Sequence, residues 1–203
     1  MKIAIIGATG RVGTRLIDEA LRRGHTVTAI ARQADKLPAQ PDLTTRNADV
    51  ADTEALAAAI AGNDVAISTV RFEQTKAAQI VGAVKAAGVP RLLVVGGAGS
   101  LYVAPGVQLV DTPGFPDAYK PEALAGRDFL DALRAETELD WTFLSPAALF
   151  EPGTRTGTWR TGGETLLSDA SGKSWISMED YAIAMLDEVE KPAHPRQRYS
   201  VAY

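Results

Sequence analysis

The first 23 residues carry the feature that most restricts the fold of this chain. A short apolar segment, Ile3–Ile6, leads directly into GATGRVG at positions 7–13, and a helical pattern of apolar residues runs on to Arg23. Glycines between a strand and a helix permit a tight turn and let the two elements pack closely. The N-terminus therefore predicts a strand, a glycine turn and a helix, which is the opening unit of a parallel α/β sheet.

The same alternation of β-branched apolar runs and helical periods continues along the chain, as is typical of βαβ units. Strands are predicted at Thr26–Ala31, Leu43–Asn47, Asp64–Thr69, Arg91–Val95 and Trp141–Leu144, and helices at Glu54–Ala61, Gln74–Ala87 and Pro121–Thr137. The intervening segment Gly96–Lys120 shows no period. A connection of that length inside a compact domain is usually functional.

The pattern changes after Ser145, where short elements replace the regular alternation. Strands are predicted at Glu164–Ser168, Ser174–Ile176 and Arg198–Ala202, and a helix at Met178–Glu190. We interpret residues 1–203 as one Rossmann-like domain, a doubly wound parallel sheet. Residues 145–203 include its small lobe on the substrate side.

Composition excludes several classes of function. The chain has 203 residues, 46% of them hydrophobic, and a formal net charge of −4. These values exclude a disordered chain and give no basic face for nucleic acid. The absence of cysteine removes disulfides and thiolate chemistry. The two histidines are too few for a metal site, so none is predicted. We expect His25, after a helix end, to be solvated or to face the helix dipole, and His194, in a turn, to be exposed.

The distribution of apolar residues gives an expectation about location. No segment approaches the length of a membrane span, and the apolar run at Ile3–Ile6 is too short for a signal peptide. We expect a cytoplasmic protein, without membrane or nucleic-acid partners, that exists as a monomer or a small homo-oligomer.

The glycine turn at positions 7–13 is the strongest functional signal. Its spacing is G-x-x-G-x-x-G, and it lies where the N-terminus of a helix offers free N–H groups to an anion. Since bare glycine backbone can approach a pyrophosphate closely, the turn predicts a dinucleotide site.

The end of the second predicted strand indicates which dinucleotide binds. An acidic residue there would bind the ribose hydroxyls of NAD, but the chain reads Ala31-Arg32. A guanidinium suits a ribose 2′-phosphate, and Arg11 in the first helical turn could contribute to the same anion. The sequence favours NADP(H) over NAD(H), while both arginines could also be ordinary surface residues.

The motifs of the chain resemble those of a known family, the atypical NAD(P)H-binding branch of the short-chain dehydrogenase/reductase superfamily. That branch holds NADPH-dependent flavin reductases, β-type biliverdin reductases and NmrA-like sensors. The resemblance covers nearly the whole chain and rests on GATGRVG (7–13), Ala31-Arg32, Asn47–Val50, Ser68–Val70, Val94–Gly99 and Leu144–Ala147.

The resemblance implies a set of cofactor contacts. It places Asp49 beside the adenine, Ser68–Val70 along the ribose and Ser145–Ala147 at the nicotinamide. With the glycine turn and Arg32, the expected cofactor-binding residues are Gly7, Thr9, Gly10, Arg11, Val12, Gly13, Arg32, Asp49, Val50, Ser68, Thr69, Val70, Gly96, Gly97, Ser145, Pro146 and Ala147.

The main branch of the superfamily uses a tyrosine with a lysine four residues later as its acid, and this pair is missing here. No tyrosine has a lysine four residues later, and Tyr119-Lys120 are adjacent, about 100° apart on a helix. Glycines 96, 97 and 99 occupy the place where the family often has a serine, and Ser100 comes late. Tyr119 and Ser100 remain the candidate catalytic residues.

This absence disfavours reduction of a plain ketone, which needs a proton at the developing alkoxide. A flavin, quinone or bilin spreads the incoming charge and can take its proton from water. We therefore expect an NADPH-dependent reductase of a small conjugated acceptor, with an NADP(H)-sensing regulator or an epimerase-like enzyme as alternatives. Candidate walls of the acceptor site are Tyr102, Phe115, Tyr119, Phe150 and Trp159.

Overall fold

In the computed structural model, which describes residues 1–203, helices and strands alternate along most of the chain. The strands are β1 (Lys2–Ile6), β2 (Thr26–Ala31), β3 (Leu43–Asn47), β4 (Val65–Ser68), β5 (Arg91–Val95), β6 (Tyr102–Ala104), β7 (Val107–Gln108), β8 (Asp140–Ser145), β9 (Leu149–Glu151), β10 (Arg160–Gly162), β11 (Trp175–Ser177) and β12 (Gln197–Ala202). The helices are α1 (Arg11–Arg22), α2 (Thr53–Ile60), α3 (Ala77–Ala86), α4 (Lys120–Arg134) and α5 (Met178–Glu190).

Eight strands form the central sheet in the order β10-β12-β8-β5-β4-β1-β2-β3. All neighbours are parallel except β10 and β12. The chain moves outward from β1 in both directions, so the order reverses between β1 and β4. Ligands of open α/β sheets bind outside the carboxyl ends of the strands at such a point. The predicted Rossmann-like, doubly wound α/β fold is confirmed.

Two apolar cores cover the two faces of this sheet. On one face, α1 and α5 pack through residues such as Leu16, Ile17 and Met185. On the other, α2, α3 and α4 pack through residues such as Leu56, Ile80 and Leu130. Burial on both faces is what the uninterrupted apolar strands require. No helix combines the length and the apolar character needed to cross a membrane.

Several predicted elements need correction. The strand predicted at Glu164–Ser168 is wrong, because β10 ahead of it pairs with β12 while Thr165 forms only an isolated bridge with Tyr102. The segment Gly96–Lys120 contains a small hairpin, β6 and β7. Helix α3 begins at Ala77 because a separate 3₁₀ turn, Phe72–Gln74, precedes it.

Both histidines are less exposed than the sequence predicts. His25 is buried, and its Nε2 lies 2.9 Å from a carboxylate oxygen of Glu190. His194 places Nδ1 2.8 Å from Glu188 and stacks on Tyr199 with ring centroids 3.9 Å apart. Both contacts pair a histidine with a carboxylate in the last turn of α5, which the local sequence around each histidine does not reveal.

Candidate functional site

The glycine turn between β1 and α1 leaves its backbone exposed at the start of the helix. Gly7 has a φ of +83°, a conformation that favours glycine, and its N–H donates to the carbonyl of Ile30 at 2.8 Å. The N–H of Gly10 donates to the Gly7 carbonyl at 2.9 Å. Gly10 is the N-cap of α1, and no side chain caps the helix. The first N–H groups of the helix are therefore free for an anion.

Close packing explains two of the glycines, since a Cβ would collide with backbone or a neighbouring side chain. A Cβ on Gly13 would lie 2.6 Å from the Gly7 carbonyl oxygen, and a Cβ on Gly7 would lie 2.5 Å from Oγ1 of Thr69. That hydroxyl donates to the carbonyls of Ile6 and Gly7, both at 2.9 Å. Thr69 thus holds the glycine turn from behind, a role that its sequence position does not predict.

A cavity of about 900 Å³ opens beside this turn. It lies where the carboxyl ends of β1, β2 and β4 meet, at the reversal of strand order. Its lining residues are Ile6, Gly7, Thr9, Gly10, Ile30, Ala31, Arg32, Gln33, Ala48, Asp49, Val50, Val70, Arg71, Gln74 and Thr75. The volume is that of a site for a small molecule or cofactor.

The predicted cofactor residues divide into two groups. The structure brings seven of them together in the cavity wall: Gly7, Thr9, Gly10, Arg32, Asp49, Val50 and Val70. The remaining ten do not line it: Arg11, Val12, Gly13, Ser68, Thr69, Gly96, Gly97, Ser145, Pro146 and Ala147.

The cavity also has a wall that sequence reasoning missed. Arg71, Gln74 and Thr75 follow β4 and complete the side opposite β2. The signal that could have found them is their position directly after Val70, at the carboxyl end of a central strand. Their placement depends on α4, which lies about 50 residues further along the chain.

The cavity rim carries one unpaired charge of each sign. Arg32, directly after β2, is exposed and lines the cavity without an ion-pair partner. Asp49, after β3, is also exposed, and its Oδ1 accepts the N–H of Ala51 at 2.9 Å. No acid occupies the end of β2, so nothing there repels a phosphate on the ribose.

The ends of β5 and β8 form the other half of the crevice. A Cβ on Gly96 would lie 2.3 Å from the ring of Phe143, so the loop after β5 lies directly on β8. Ser145 is fully buried, and the guanidinium of Arg198 lies 3.4 Å from its hydroxyl oxygen. Gly97 keeps open space where a Cβ would point.

The two candidate catalytic residues occupy opposite environments. Tyr119 is 67% exposed at the N-terminus of α4, and its hydroxyl makes no hydrogen bond. Ser100 is 3% exposed, and its hydroxyl oxygen lies 3.5 Å from a guanidinium nitrogen of Arg198. Neither lines the cavity. The structure therefore places neither candidate hydroxyl in the wall of the cavity beside the glycine turn.

The aromatic residues expected to wall an acceptor site are spread out. Phe150 packs on Tyr181 with ring centroids 4.6 Å apart, and Trp159 packs against the core of the α1 and α5 face. Tyr102 and Phe115 are half-buried in the segment between β5 and α4. Only Tyr119 offers a largely exposed ring.

Solved structures of similar proteins cover this chain from end to end. A Burkholderia pseudomallei protein provisionally described as exported is 49% identical, with 100% of each chain covered and a TM-score of 0.90. A Bacteroides thetaiotaomicron protein provisionally named an epimerase is 42% identical, covering 100% of this chain and 96% of its own, with a TM-score of 0.94. A Streptococcus pneumoniae protein provisionally named an NADH-flavin reductase is 37% identical, covering 100% and 99%, with a TM-score of 0.87.

The residues present fit a nicotinamide dinucleotide. Bare glycine backbone at a free helix N-terminus suits a pyrophosphate, Arg32 suits a further phosphate, and the cavity has room for the adenosine half. Residues 7–192 match the family described as NAD(P)H-binding. The chain belongs to this NAD(P)H-binding family.

Proposed function

We propose that this protein is an NADP(H)-dependent oxidoreductase that transfers hydride to a small conjugated acceptor such as a flavin, quinone or bilin. The observation that carries the proposal is the open glycine turn beside Arg32, with no acid at the end of β2. A guanidinium at this position matches the charge of a 2′-phosphate and leaves NAD(H) without its usual carboxylate partner.

Each part of the chain has a defined task in this proposal. The free N–H groups at the start of α1 bind the pyrophosphate, and Arg32 binds the 2′-phosphate. The bound dinucleotide supplies the hydride. The protein holds the two ring systems in contact, and alignment alone can supply a large part of the acceleration.

The missing pair of a tyrosine and a lysine four residues later favours acceptors that need no acid. The hydroxyl of Tyr119 is exposed and makes no hydrogen bond, and the hydroxyl of Ser100 is buried beside Arg198. An acceptor with an extended conjugated system spreads the charge of the hydride and takes its proton from water. The similarity to a protein named an NADH-flavin reductase supports this acceptor class.

Oxidation of NADPH in the presence of FMN, menadione or biliverdin tests the proposal. We expect turnover with at least one acceptor, and a lower KM for NADPH than for NADH. The absence of turnover with all three acceptors, at cofactor concentrations that saturate binding, would overturn the proposal that the protein is a reductase.

The same experiment identifies the alternatives. Tight NADPH binding without turnover would identify a sensor of the NADP(H) pool. The epimerase alternative has one specific support, the name of the Bacteroides thetaiotaomicron relative. It predicts interconversion of a nucleotide sugar without net change in the cofactor, and product analysis by chromatography distinguishes it from both other functions.

A further inference from the structure

The side chain of Arg198 is a buried charge beside the carboxyl ends of β5 and β8. It is 1% exposed, and Arg198 lies opposite Phe143 in the pairing of β12 with β8. Its guanidinium nitrogens lie 3.4 Å from the hydroxyl oxygen of Ser145, the last residue of β8, and 3.3 Å from the carbonyl oxygen of Ser100. Ser100 belongs to the loop after β5. One side chain therefore connects the segments in which two neighbouring strands end.

The same guanidinium also holds the C-terminal lobe. It forms an ion pair with Glu164, which in turn accepts a hydrogen bond from Arg134 on α4 at 2.8 Å. The N–H of Tyr102 in the hairpin of β6 and β7 donates to the carbonyl of Glu164, and the N–H of Leu166 donates to the carbonyl of Tyr102, both at 2.9 Å. Arg198 thus lies where the lobe, the hairpin and the ends of β5 and β8 meet.

Stability alone does not explain this arrangement. Taking a guanidinium out of water is costly, and an apolar side chain of similar volume is often as stable at such a place. The contacts with the two serines are long for hydrogen bonds, and Nε of Arg198 has no partner. Glu164 is 44% exposed and keeps Arg134 as a partner, so it does not need Arg198. What Arg198 supplies is a fixed arrangement of the segments around it.

The segments that Arg198 connects adjoin the cofactor cavity. That cavity lies at the carboxyl ends of β1, β2 and β4, and the sheet continues from β4 to β5 and β8. Ligands of open α/β sheets lie in the crevice outside these ends. With the pyrophosphate at the glycine turn and the 2′-phosphate at Arg32 after β2, the other half of a dinucleotide extends away from β2, toward β5 and β8.

The reaction depends closely on the geometry of this part of the crevice. Reacting atoms have to approach to about 3–3.5 Å, and a misplacement of about 1 Å can slow a reaction about 100-fold. A residue that fixes the ends of β5 and β8 relative to each other therefore acts on the rate of the reaction.

We propose that Arg198 is a positioning residue for hydride transfer, which holds the loop after β5 and the end of β8 at a fixed separation through Ser100 and Ser145. This inference rests on the proposed function. Arg198 itself touches no substrate, because its side chain is buried. It also lies outside the wall of the cofactor cavity, so its removal leaves binding of the adenosine half unchanged and slows only the reaction.

Three variants of the full chain separate positioning from stability and from cofactor binding. Arg198→Met should slow single-turnover hydride transfer from prebound NADPH to FMN, menadione or biliverdin by about 30-fold, because small displacements of the reacting atoms are costly. Its affinity for 2′,5′-ADP, measured by calorimetry, should stay within about twofold of native, and its midpoint of thermal unfolding within about 5 °C. Arg198→Lys keeps the charge but cannot reach both serines, so about a tenfold loss of rate is expected. Arg134→Met, the matched control, removes a partner of the same Glu164 without touching the serines, and its rate should stay within about twofold of native.

The fluorescence of bound NADPH gives a second readout that needs no acceptor. Its emission reports the surroundings of the nicotinamide ring. Arg198→Met should therefore shift the emission of bound NADPH, while Arg134→Met leaves it as in the native protein.

A native transfer rate in Arg198→Met overturns the proposal, as does an equal loss of rate in Arg134→Met. An Arg198→Met protein that does not fold, or that loses affinity for 2′,5′-ADP in step with its rate, would show that Arg198 is structural and also overturns it. If native protein binds NADPH but reduces no acceptor, the reductase proposal fails, and the emission of bound NADPH in the variants decides the role of Arg198. If native protein does not bind NADPH, both proposals fail.

Discussion

The cofactor cavity and the C-terminal lobe use charged side chains in opposite ways. At the cavity, Arg32 and Asp49 are exposed and form no ion pair. In the lobe, Arg155 donates twice to Glu19 on α1, both at 3.0 Å, and Asp180 accepts the N–H groups of Thr156 and Gly157, both at 2.8 Å. Unpaired charges at the cavity are available to a ligand, whereas the paired charges of the lobe hold loops in place.

The electrostatic state of Glu19 shows how strongly the lobe is fixed. Burial by itself raises the pKa of this carboxyl, but hydrogen bonds and charge from Arg155 and Arg23 outweigh burial and lower its pKa to about 2. Burial also raises the pKa of Asp180, and the hydroxyls of Thr156 and Tyr203 with the loop N–H groups bring it below its ordinary value. Substitutions should therefore affect binding at the cavity and stability at the lobe.

The largest effect is expected at Gly10, on the binding side of this comparison. Gly10 is exposed in the cavity wall, and its Cβ position lies 3.1 Å from the Gly7 carbonyl oxygen. Gly10→Val should fold with only a small local shift but weaken NADPH binding by more than about 100-fold, because the side chain occupies the space of the phosphate. Titration by intrinsic fluorescence and circular dichroism measure the two properties.

Gly13→Val is the matched contrast, because it lies three residues away but faces the protein. Its Cβ would lie 2.6 Å from the same carbonyl oxygen, so this variant should lose stability as well as binding. A well-folded Gly10→Val protein with near-native affinity for NADPH would show that the turn is not a phosphate site.

The next largest effect is expected on the stability of the lobe, from substitution of Glu19. Glu19→Gln removes the charge that Arg22, Arg23 and Arg155 share, and should lower the free energy of unfolding by about 2 kcal/mol. NADPH affinity should stay within about twofold of native, because Glu19 is remote from the cavity. Urea denaturation measures the first quantity. Asp18→Asn, an exposed neighbour without an ion pair, should change neither.

The pH dependence of stability gives a second measure of the same group. The folded pKa of Glu19, about 2, is below its ordinary value of 4.5, so its stabilising contribution is fully present above pH 4.5. It is lost as the pH falls from there toward 2. The difference in unfolding free energy between native protein and Glu19→Gln should shrink over that range. A constant difference would contradict the assigned pKa.

Arg32 tests the cofactor preference and should give a smaller effect. Arg32→Ala should weaken NADPH binding about tenfold and leave NADH binding unchanged, because only NADPH carries the 2′-phosphate. Arg11→Ala is the control, since Arg11 is exposed on α1 but does not line the cavity, and its effect should stay below about threefold. Equal affinity of the native protein for NADPH and NADH would refute the role of Arg32.

The two regions also differ in how far the sequence predicts them. The sheet was predictable because the periodicity of each strand and helix is local, and Arg32 was predictable because it directly follows β2. The role of Thr69 in bracing Gly7 was not, because it depends on two strands becoming neighbours. The edge strand β10 was not, because its partner β12 supplies the pairing.

Arg71 was not predicted as a residue of the cavity wall because its position also depends on a contact between distant parts of the chain. Its position depends on Glu122, about 50 residues away in the chain, and neither residue belongs to a recognisable motif. Sequence patterns report elements that form locally, and they report a site when it lies at the end of such an element. Contacts made only after the helices pack require the structure.

The smallest effect is expected at Tyr119, the residue that tests whether the reaction needs an acid. Its hydroxyl makes no hydrogen bond, 67% of the residue is exposed, and Lys120 is its neighbour in the chain rather than one helical turn away. General acid catalysis is typically worth about 10²–10⁴-fold. If alignment of the two rings accounts for the reaction rate, Tyr119→Phe should keep the rate of hydride transfer within about tenfold of native. Single-turnover stopped flow with prebound NADPH and saturating acceptor measures this rate.

Tyr102→Phe, half-buried in the hairpin, is the control for losing a hydroxyl. A loss of a hundredfold or more in Tyr119→Phe alone, with unchanged NADPH affinity, would make Tyr119 the proton donor and move the acceptor class toward carbonyl compounds.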